Sequence, residues 1–255
     1  MNKYLLVMTS CVDPSKGSYA LKRADPKVRL TDYVTALRYW LNFPDERIRN
    51  ILFIENSNYP LDDLKAIARD EDPRQKSTEF IGLDCNWYPP GGHYGYAELR
   101  MLDLGLQQSQ LRTSTTHMIK VSGRLRFPAL SRLLDRLPPD FDAVADARGW
   151  QSLYKRRERP YVTTQIILFA HGFYREFLQD CYEDLEAGKD THMEGIYYQR
   201  LAPLAKDHKV IFRFPCNVAP VGFPAARTKS YTQLSQLAVN AIRGVARRIL
   251  PNWWI

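Results

Sequence analysis

The chain has 255 residues, enough for one large domain or two small ones, and its hydrophobic residues amount to 45% and its charged residues to 25%. These proportions exclude a disulfide-stapled miniprotein and a disordered or coiled-coil chain, so a folded globular protein is expected. Thirty-six basic residues against 28 acidic ones give a net charge of +8, which is typical of proteins that bind nucleic acid, phosphorylated ligands or anionic membranes.

The excess positive charge lies at the end of the chain. After Asp207 the sequence contains no acidic residue and the basic residues Lys209, Arg213, Arg227, Lys229, Arg243, Arg247 and Arg248. Because the preceding residues are close to neutral as a group, we expect no nucleic-acid channel spread over the fold. A non-catalytic module that binds RNA or anionic lipid through this basic segment stays as an alternative.

Two other compositional features bear on the cell compartment. The apolar run at 4–8 is too short for a signal peptide, and no run is long enough to span a membrane, so a cytoplasmic location is expected. The four cysteines lie far apart, without the spacing of a zinc site or a disulfide framework. We expect them to be reduced and structural.

In chain order, short apolar runs alternate with helical patterns. Strands are predicted at 4–8, 51–54, 117–121, 141–145, 162–170 and 210–214. Helices are predicted at 31–41 with Thr31 as the cap, at 97–111, at 127–137, at 171–187 and from about 191. This alternation predicts an α/β fold with a parallel sheet.

The last helical pattern, at 230–250, is the most regular in the sequence. Ser230 and Gln233 form a capping box at its start. One face of the pattern is apolar and consists of Leu234, Leu237, Ala241, Val245 and Ile249. With the basic residues and the terminal Trp253 and Trp254, this face suits either packing on the core or attachment to an anionic membrane surface. We therefore divide the chain into a main domain at 1–229 and a C-terminal amphipathic segment at 230–255.

Polar clusters follow the predicted strands or begin the predicted helices, where open α/β sheets bind ligands. The residues of interest are Thr9, Ser10, Glu55, Asn56, Tyr94, Gly95, Lys120, Gly123, Arg124, Asp146, Arg148, His192 and Glu194. Lys120 and Arg124 flank a strand end and suit a diphosphate, although a solvated basic loop explains them too. Asp146 suits a metal ion, a sugar hydroxyl or an ion pair with Arg148. Glu194 suits a catalytic role or a favourable interaction with a helix dipole.

The order of these clusters resembles that of bacterial surface-polysaccharide glycosyltransferases, in particular the galactofuranosyltransferase-type modules of O-antigen and capsule polymerases. The matching positions are Arg29 with Asp32 and Tyr33, Glu55 to Ser57, Glu79 with Phe80, Tyr94 to Glu98, Lys120 to Arg124, Asp146 to Arg148, and His192 to Glu194. The resemblance implies a GT-A-like, Rossmann-type mixed sheet flanked by helices. It also implies a nucleotide-sugar donor, with uridine as the expected nucleoside, and a lipid-linked glycan acceptor in the synthesis of O-antigen, lipopolysaccharide or capsule.

The resemblance also implies roles for the clusters. Glu194 is the first candidate for the catalytic base and Asp146 the second. Thr9, Ser10, Glu55, Asn56, Tyr94, Gly95, Lys120, Gly123 and Arg124 are expected on the donor side, and Arg148 and His192 on the acceptor side. A manganese or magnesium cofactor stays open. The expected location is the inner face of the bacterial cytoplasmic membrane, peripherally attached, and a nucleotide-sugar hydrolase is a further alternative.

Overall fold

A computed structural model describes residues 3–17, 21–90, 92–152, 155–185, 192–224 and 230–231, with single positions between 239 and 249. The strands are β1 (Tyr4–Ser10), β2 (Asn50–Glu55), β3 (Ser77–Gly82), β4 (His117–Ser122), β5 (Ala143–Ser152), β6 (Lys155–Ala170) and β7 (Val210–Ile211). The α-helices are α1 (Pro26–Leu41), α2 (Asp62–Asp70), α3 (Gly95–Gln108), α4 (Leu130–Asp135), α5 (His171–Phe177) and α6 (Met193–Leu204). Short 3₁₀ helices span Pro14–Lys16, Leu111–Ser114 and Cys181–Asp184.

The seven strands form one mixed sheet in the order β3-β2-β1-β4-β6-β5-β7. Strand β6 is antiparallel to both of its neighbours, and the other strands are mutually parallel. The carboxyl ends of β1, β2, β4 and β5 therefore lie along one edge of the sheet. The arrangement confirms the expected α/β, Rossmann-type mixed sheet flanked by helices.

Helices cover both faces of the sheet, and the alternation of side chains along each strand supplies both cores. On one face, Leu6 and Met8 of β1 pack with α1, α2 and α4. On the other face, Leu5 and Val7 pack with α3, α5 and α6. Every residue of β1 is buried, as expected for a parallel strand covered on both sides.

The predicted start of the first helix was wrong. Helix α1 begins at Pro26, and the Asp25 carboxylate accepts hydrogen bonds from the backbone N–H groups of Lys27 and Val28 at 2.8 and 3.3 Å. Thr31, the predicted cap, lies inside the helix and donates its hydroxyl to the Lys27 carbonyl at 2.9 Å. Asp with Pro at the next position is the stronger start signal, because Pro26 has no N–H to satisfy.

The predicted helix at 171–187 is interrupted after α5. Asp180 has a φ of +60°, which ends regular helix, and a 3₁₀ turn follows at Cys181–Asp184. The Asp103 carboxylate holds this turn by accepting the Asp180 N–H at 3.0 Å and the Tyr174 hydroxyl at 2.7 Å. The apolar residues spaced four apart still reach the core, which is why the sequence pattern resembled one continuous helix.

The remaining differences concern lengths and two missed elements. The sequence analysis did not predict α2 or the edge strand β3. Strands β5 and β6 are longer than predicted, whereas β7 and α4 are shorter. Within the described residues, no helix has the length and apolar character that crossing a bilayer requires.

Most of the predicted C-terminal helix lies outside the described residues, including Gln233, Leu234, Leu237, the arginines of this segment and both tryptophans. The described positions 239, 241, 242, 244, 245 and 249 are helical. Ala241, Ile242, Val245 and Ile249 are exposed. Of the predicted apolar face, Ala241, Val245 and Ile249 are thus described, and Leu234 and Leu237 are not.

Candidate active site

A cleft of about 300 Å³ opens at the carboxyl edge of β1 and β4. The loops after these strands form one side of it, and the first turns of α3 and α6 form the other. The predicted residues that line it are Thr9, Ser10, Asn56, Tyr94, Gly123, Arg124 and Glu194. We call this space the strand-end cleft. It brings together side chains from both halves of the sequence.

The loop after β1 is held rigidly by two residues of α1. Arg29 is buried, and its Nε donates to the Cys11 carbonyl at 2.7 Å. The Tyr33 hydroxyl accepts the Cys11 N–H at 2.9 Å. Because Arg29 and Tyr33 lie four residues apart, one helix face presents both to the loop. Arg29 and Tyr33 entered the sequence analysis only through the family resemblance. Their spacing of four residues on a helix is the sequence signal that could have identified both as site residues.

The predicted hydroxyls of this loop already have protein partners. Ser10 Oγ donates to the Ile54 carbonyl at 2.8 Å, which ties β1 to β2. Thr9 Oγ1 lies 3.3 Å from Glu98 Oε1 and from the Val121 carbonyl oxygen. Burial raises the pKa of the neighbouring Cys11 thiol to about 12, so Cys11 is a neutral thiol and a poor nucleophile at physiological pH.

The two polar residues at the end of β2 differ in their hydrogen bonding. Glu55 is bonded by the protein backbone, whereas the amide oxygen of Asn56 has no partner among the described residues. Glu55 is fully buried, and it accepts the backbone N–H groups of Val12, Ser57 and Tyr59, each at 2.9 Å. Asn56 is only 3% exposed, and its Oδ1 has no hydrogen-bond partner among the described residues. An unsatisfied buried amide oxygen is costly, and Asn56 lines the cleft, so a ligand donor would satisfy it.

A chain of polar contacts crosses the α3 and α6 side of the cleft. Lys120 Nζ forms an ion pair with Glu98 and donates to the Thr164 carbonyl at 2.9 Å. The Thr164 hydroxyl in turn lies 3.4 Å from Glu194 Oε1. The Lys120 side chain is 3% exposed, whereas that of Glu98 is 24% exposed and lines the cleft. Lys120 therefore has a protein carboxylate as its immediate counterion, and Glu98 is a cleft residue absent from our candidate list.

The loop after β4 places one guanidinium at the cleft. The Gly123 N–H donates to the Thr9 carbonyl at 2.8 Å, and a Cβ at Gly123 would lie 2.7 Å from that same oxygen. Glycine is therefore required here by the close approach of two strand ends. Arg124 follows, with its guanidinium 5.8 Å from the Tyr33 ring centroid. Its Nη1 is buried and has no hydrogen-bond partner among the residues that the structure describes.

Two histidines fix the helix starts that border the cleft. The Nδ1 atoms of His93 and His192 accept the N–H groups of Gly95 and Gly195, each at 3.0 Å, and the two rings are 6.4 Å apart. Burial lowers the pKa of His93, which keeps its ring neutral near pH 7. A Cβ at Gly95 would lie 2.7 Å from Met193 Cβ, so this glycine lets α3 and α6 meet.

Asp146 and Arg148 lie in a different cavity. The Arg148 guanidinium is 3.3 Å from Asp146 Oδ2, and both residues line a second cleft of about 480 Å³. The neighbours of Asp146 in β5, Ala145 and Ala147, pack in the core with α3, α5 and α6, so Asp146 is on the opposite face of the sheet. The structure thus separates the two candidate bases, with Glu194 in the strand-end cleft and Asp146 in the second one.

We tested the strand-end cleft for a divalent cation site. No group of three or more His, Cys, Asp or Glu side chains in the described residues is placed to hold a metal ion. Of the two carboxylates that line the cleft, Glu98 is already paired with Lys120. The described side chains of the cleft do not fit a manganese or magnesium ion.

Comparisons with known proteins concern the fold. No protein-family model and no curated protein matched the chain. Among solved structures, 4-diphosphocytidyl-2C-methyl-D-erythritol synthase from Anaerococcus prevotii is 12% identical, with a TM-score of 0.44 and coverage of 95% of this chain and 96% of that one. The mannosyltransferase PcManGT from Pyrobaculum calidifontis, in complex with GDP-Man and Mn²⁺, is 10% identical, with a TM-score of 0.48. The match covers 98% of this chain and 64% of that one.

The bifunctional glycosyltransferase WbbM is 13% identical, with a TM-score of 0.47 and coverage of 83% of this chain and 38% of that one. The chain therefore spans less than two thirds of the length of either glycosyltransferase. At these identities the likeness concerns the arrangement of strands and helices, and no activity is carried over from it.

Proposed function

We propose that the protein is a glycosyltransferase that moves a sugar from a nucleotide-sugar donor, with UDP as the expected nucleotide, to a lipid-linked glycan used in bacterial surface polysaccharide. One observation carries the proposal. The strand-end cleft combines the unsatisfied polar atoms of Asn56 and Arg124 with two carboxylates, Glu98 and Glu194. The sequence resemblance supports the choice of sugar transfer over other reactions at such a cleft.

The cleft has the groups that this reaction requires. When the glycosidic bond to the diphosphate breaks, negative charge grows on the departing phosphate, and a guanidinium forms two parallel hydrogen bonds to it. We propose Arg124 for that role, because its Nη1 is buried in the cleft and has no hydrogen-bond partner among the described residues. The acceptor hydroxyl must lose its proton as it attacks the anomeric carbon, and a carboxylate takes it. Glu194 is our candidate, because it lines the cleft, where its carboxylate accepts a hydrogen bond from the Thr164 hydroxyl.

The acceptor and membrane parts of the proposal have separate support. The C-terminal segment carries basic residues without acidic ones, and its described apolar residues are exposed. An anionic bilayer attracts such a segment, and peripheral attachment at the inner face of the membrane would bring the cleft to a lipid-linked acceptor.

The test compares two variants with matched controls. Arg124→Ala should weaken binding of UDP by about tenfold or more in calorimetry, whereas Arg126→Ala should leave it unchanged because Arg126 stacks near Tyr39, outside the cleft. Glu194→Gln should lower turnover by about 10²–10⁴-fold with UDP affinity retained, whereas Glu183→Gln, on an exposed turn, should have no effect.

Three results would contradict the proposal. If UDP, GDP and their sugar conjugates leave the unfolding temperature unchanged with and without manganese, the cleft is not a donor site. Release of free sugar at the same rate with and without acceptor would indicate a nucleotide-sugar hydrolase. Binding of RNA without binding of nucleotides would favour the non-catalytic module.

A further inference from the structure

The second cleft, of about 480 Å³, is lined by four arginines from separate parts of the chain. Arg132 and Arg136 come from α4 and its end, Arg148 from β5, and Arg213 from the segment after β7. We call it the arginine cleft. It adjoins the strand-end cleft across β6, because Asp146 pairs with Thr163 in the sheet and Thr164 lines the strand-end cleft.

The lining of the arginine cleft has a strong excess of positive charge. Asp146 is its only acidic residue among the described ones, and Arg148 lies against it. Arg136 donates to a neutral acceptor, the Pro215 carbonyl, at 3.3 Å. Arg132 makes no hydrogen bond or ion pair within the described part of the chain. Among the described lining residues, Arg132 and Arg136 have no acidic partner, so their guanidinium groups in this concave space attract an anion, and the guanidinium fork matches phosphate oxygens.

Part of the lining of the arginine cleft is apolar. Ala241, Gly244 and Val245 of the C-terminal segment line it. Val245 is 54% exposed and Ile249, one helical turn further on, is 69% exposed. Together with Ile242 they extend the apolar surface beyond the cleft. An inorganic anion would use the arginines and leave this surface in water.

We propose that the arginine cleft binds an amphiphile that has a phosphate or diphosphate head and an apolar chain. The arginines hold the head, and the wall at Ala241 and Val245 packs against the first part of the chain. This inference rests on the proposed function in one respect, since such a molecule would be the lipid carrier of the acceptor glycan. The site itself is independent of the donor chemistry.

The experiment measures binding of three probes to the full chain by calorimetry: farnesyl diphosphate, inorganic pyrophosphate and farnesol. We expect farnesyl diphosphate to bind at least about tenfold more tightly than pyrophosphate, and farnesol not to bind measurably.

Arg132→Gln with Arg213→Gln should weaken farnesyl diphosphate binding by about tenfold or more, since charged hydrogen bonds are lost. Arg132→Glu, at a side chain with no described partner, repeats the test with the least risk to folding. Arg175→Ala, an exposed arginine on α5, is the control.

The outcomes separate this site from the proposed function. The arginine-cleft variants should leave UDP binding unchanged, and Arg124→Ala should leave farnesyl diphosphate binding unchanged. If neither the wild type nor any variant binds UDP, the proposed function is contradicted. The farnesyl diphosphate measurements would still test the arginine cleft. Equal affinity for pyrophosphate and farnesyl diphosphate would overturn the amphiphile assignment. Farnesyl diphosphate binding that survives both arginine-cleft variants, or binding that occurs only to whole anionic vesicles, would overturn the site.

Discussion

Replacement of Lys120 by Met separates two roles for this lysine, a contact to the donor diphosphate and a counterion for Glu98. Removal of one partner of a buried ion pair costs about 3–5 kcal/mol of stability. Glu98 is 24% exposed and regains some hydration, so the lower end, about 3 kcal/mol, is expected for Lys120→Met. Glu98→Gln leaves the ammonium of Lys120 buried and should cost at least as much. The double variant should be destabilised by less than the sum of the two single-variant costs, and the difference should reach up to about 3 kcal/mol.

The assays are urea unfolding for the free energy of unfolding and calorimetry for UDP affinity. If Lys120 acts only through Glu98, the double variant Lys120→Met with Glu98→Gln should bind UDP within about threefold of the wild type, because Arg124 is untouched. A loss of tenfold or more in the double variant would refute this reasoning and support the direct contact that the sequence predicted. Lys76→Met is the matched control. Lys76 is also buried, donates to the Ile48 carbonyl at 2.6 Å, and lies outside the strand-end cleft.

Two further predictions concern stability and membrane attachment. Burial raises the pKa of Asp103 from 3.8 to about 6, so its stabilising contribution is full below about pH 4 and is lost as the pH rises through 6. Between about pH 4 and pH 7 the wild type should lose up to about 3 kcal/mol relative to Asp103→Asn in urea unfolding, and parallel pH profiles would contradict this. A chain that ends at Arg227 should sediment less with anionic vesicles than the full chain, by an amount that falls with salt; equal sedimentation would refute attachment through the C-terminal segment.

The sequence predicted the strands that are buried on both sides, and it missed the elements at the periphery. The apolar runs of β1 and β2 are nearly continuous, because parallel strands in the centre of the sheet bury almost every residue, whereas the buried Lys120 interrupts the run in β4. Helix α2 buries only Leu64 and Ala68, and the edge strand β3 buries only Ile81. Such short apolar signals do not distinguish an element from a loop. The first residues of β6 are charged. The sequence pattern therefore predicted only the later, apolar part of this strand.

The positions of polar residues after strands correctly predicted that most of the candidate residues lie at one edge of the sheet. They did not predict which protein groups these residues contact. Lys120 and Glu98 are 22 residues apart, and their ion pair exists because the tertiary fold brings the first turn of α3 close to Lys120 of β4. Glu55 resembled a ligand contact, yet three backbone N–H groups from neighbouring loops surround it. A pattern of polar residues after strands predicts where a cleft lies. Which of those residues are already satisfied by the protein depends on tertiary contacts.

The different environments of Glu98 and Glu194 argue for different roles in the same cleft. Glu98 forms an ion pair with the ammonium of Lys120. Among the described residues Glu194 has no ion pair with Lys or Arg; it lies 3.4 Å from the Thr164 hydroxyl and interacts electrostatically with His93. A base that must accept a proton from an acceptor hydroxyl needs a carboxylate whose charge is not already neutralised. We therefore propose Glu194 for proton transfer and a structural role for the ion pair between Glu98 and Lys120.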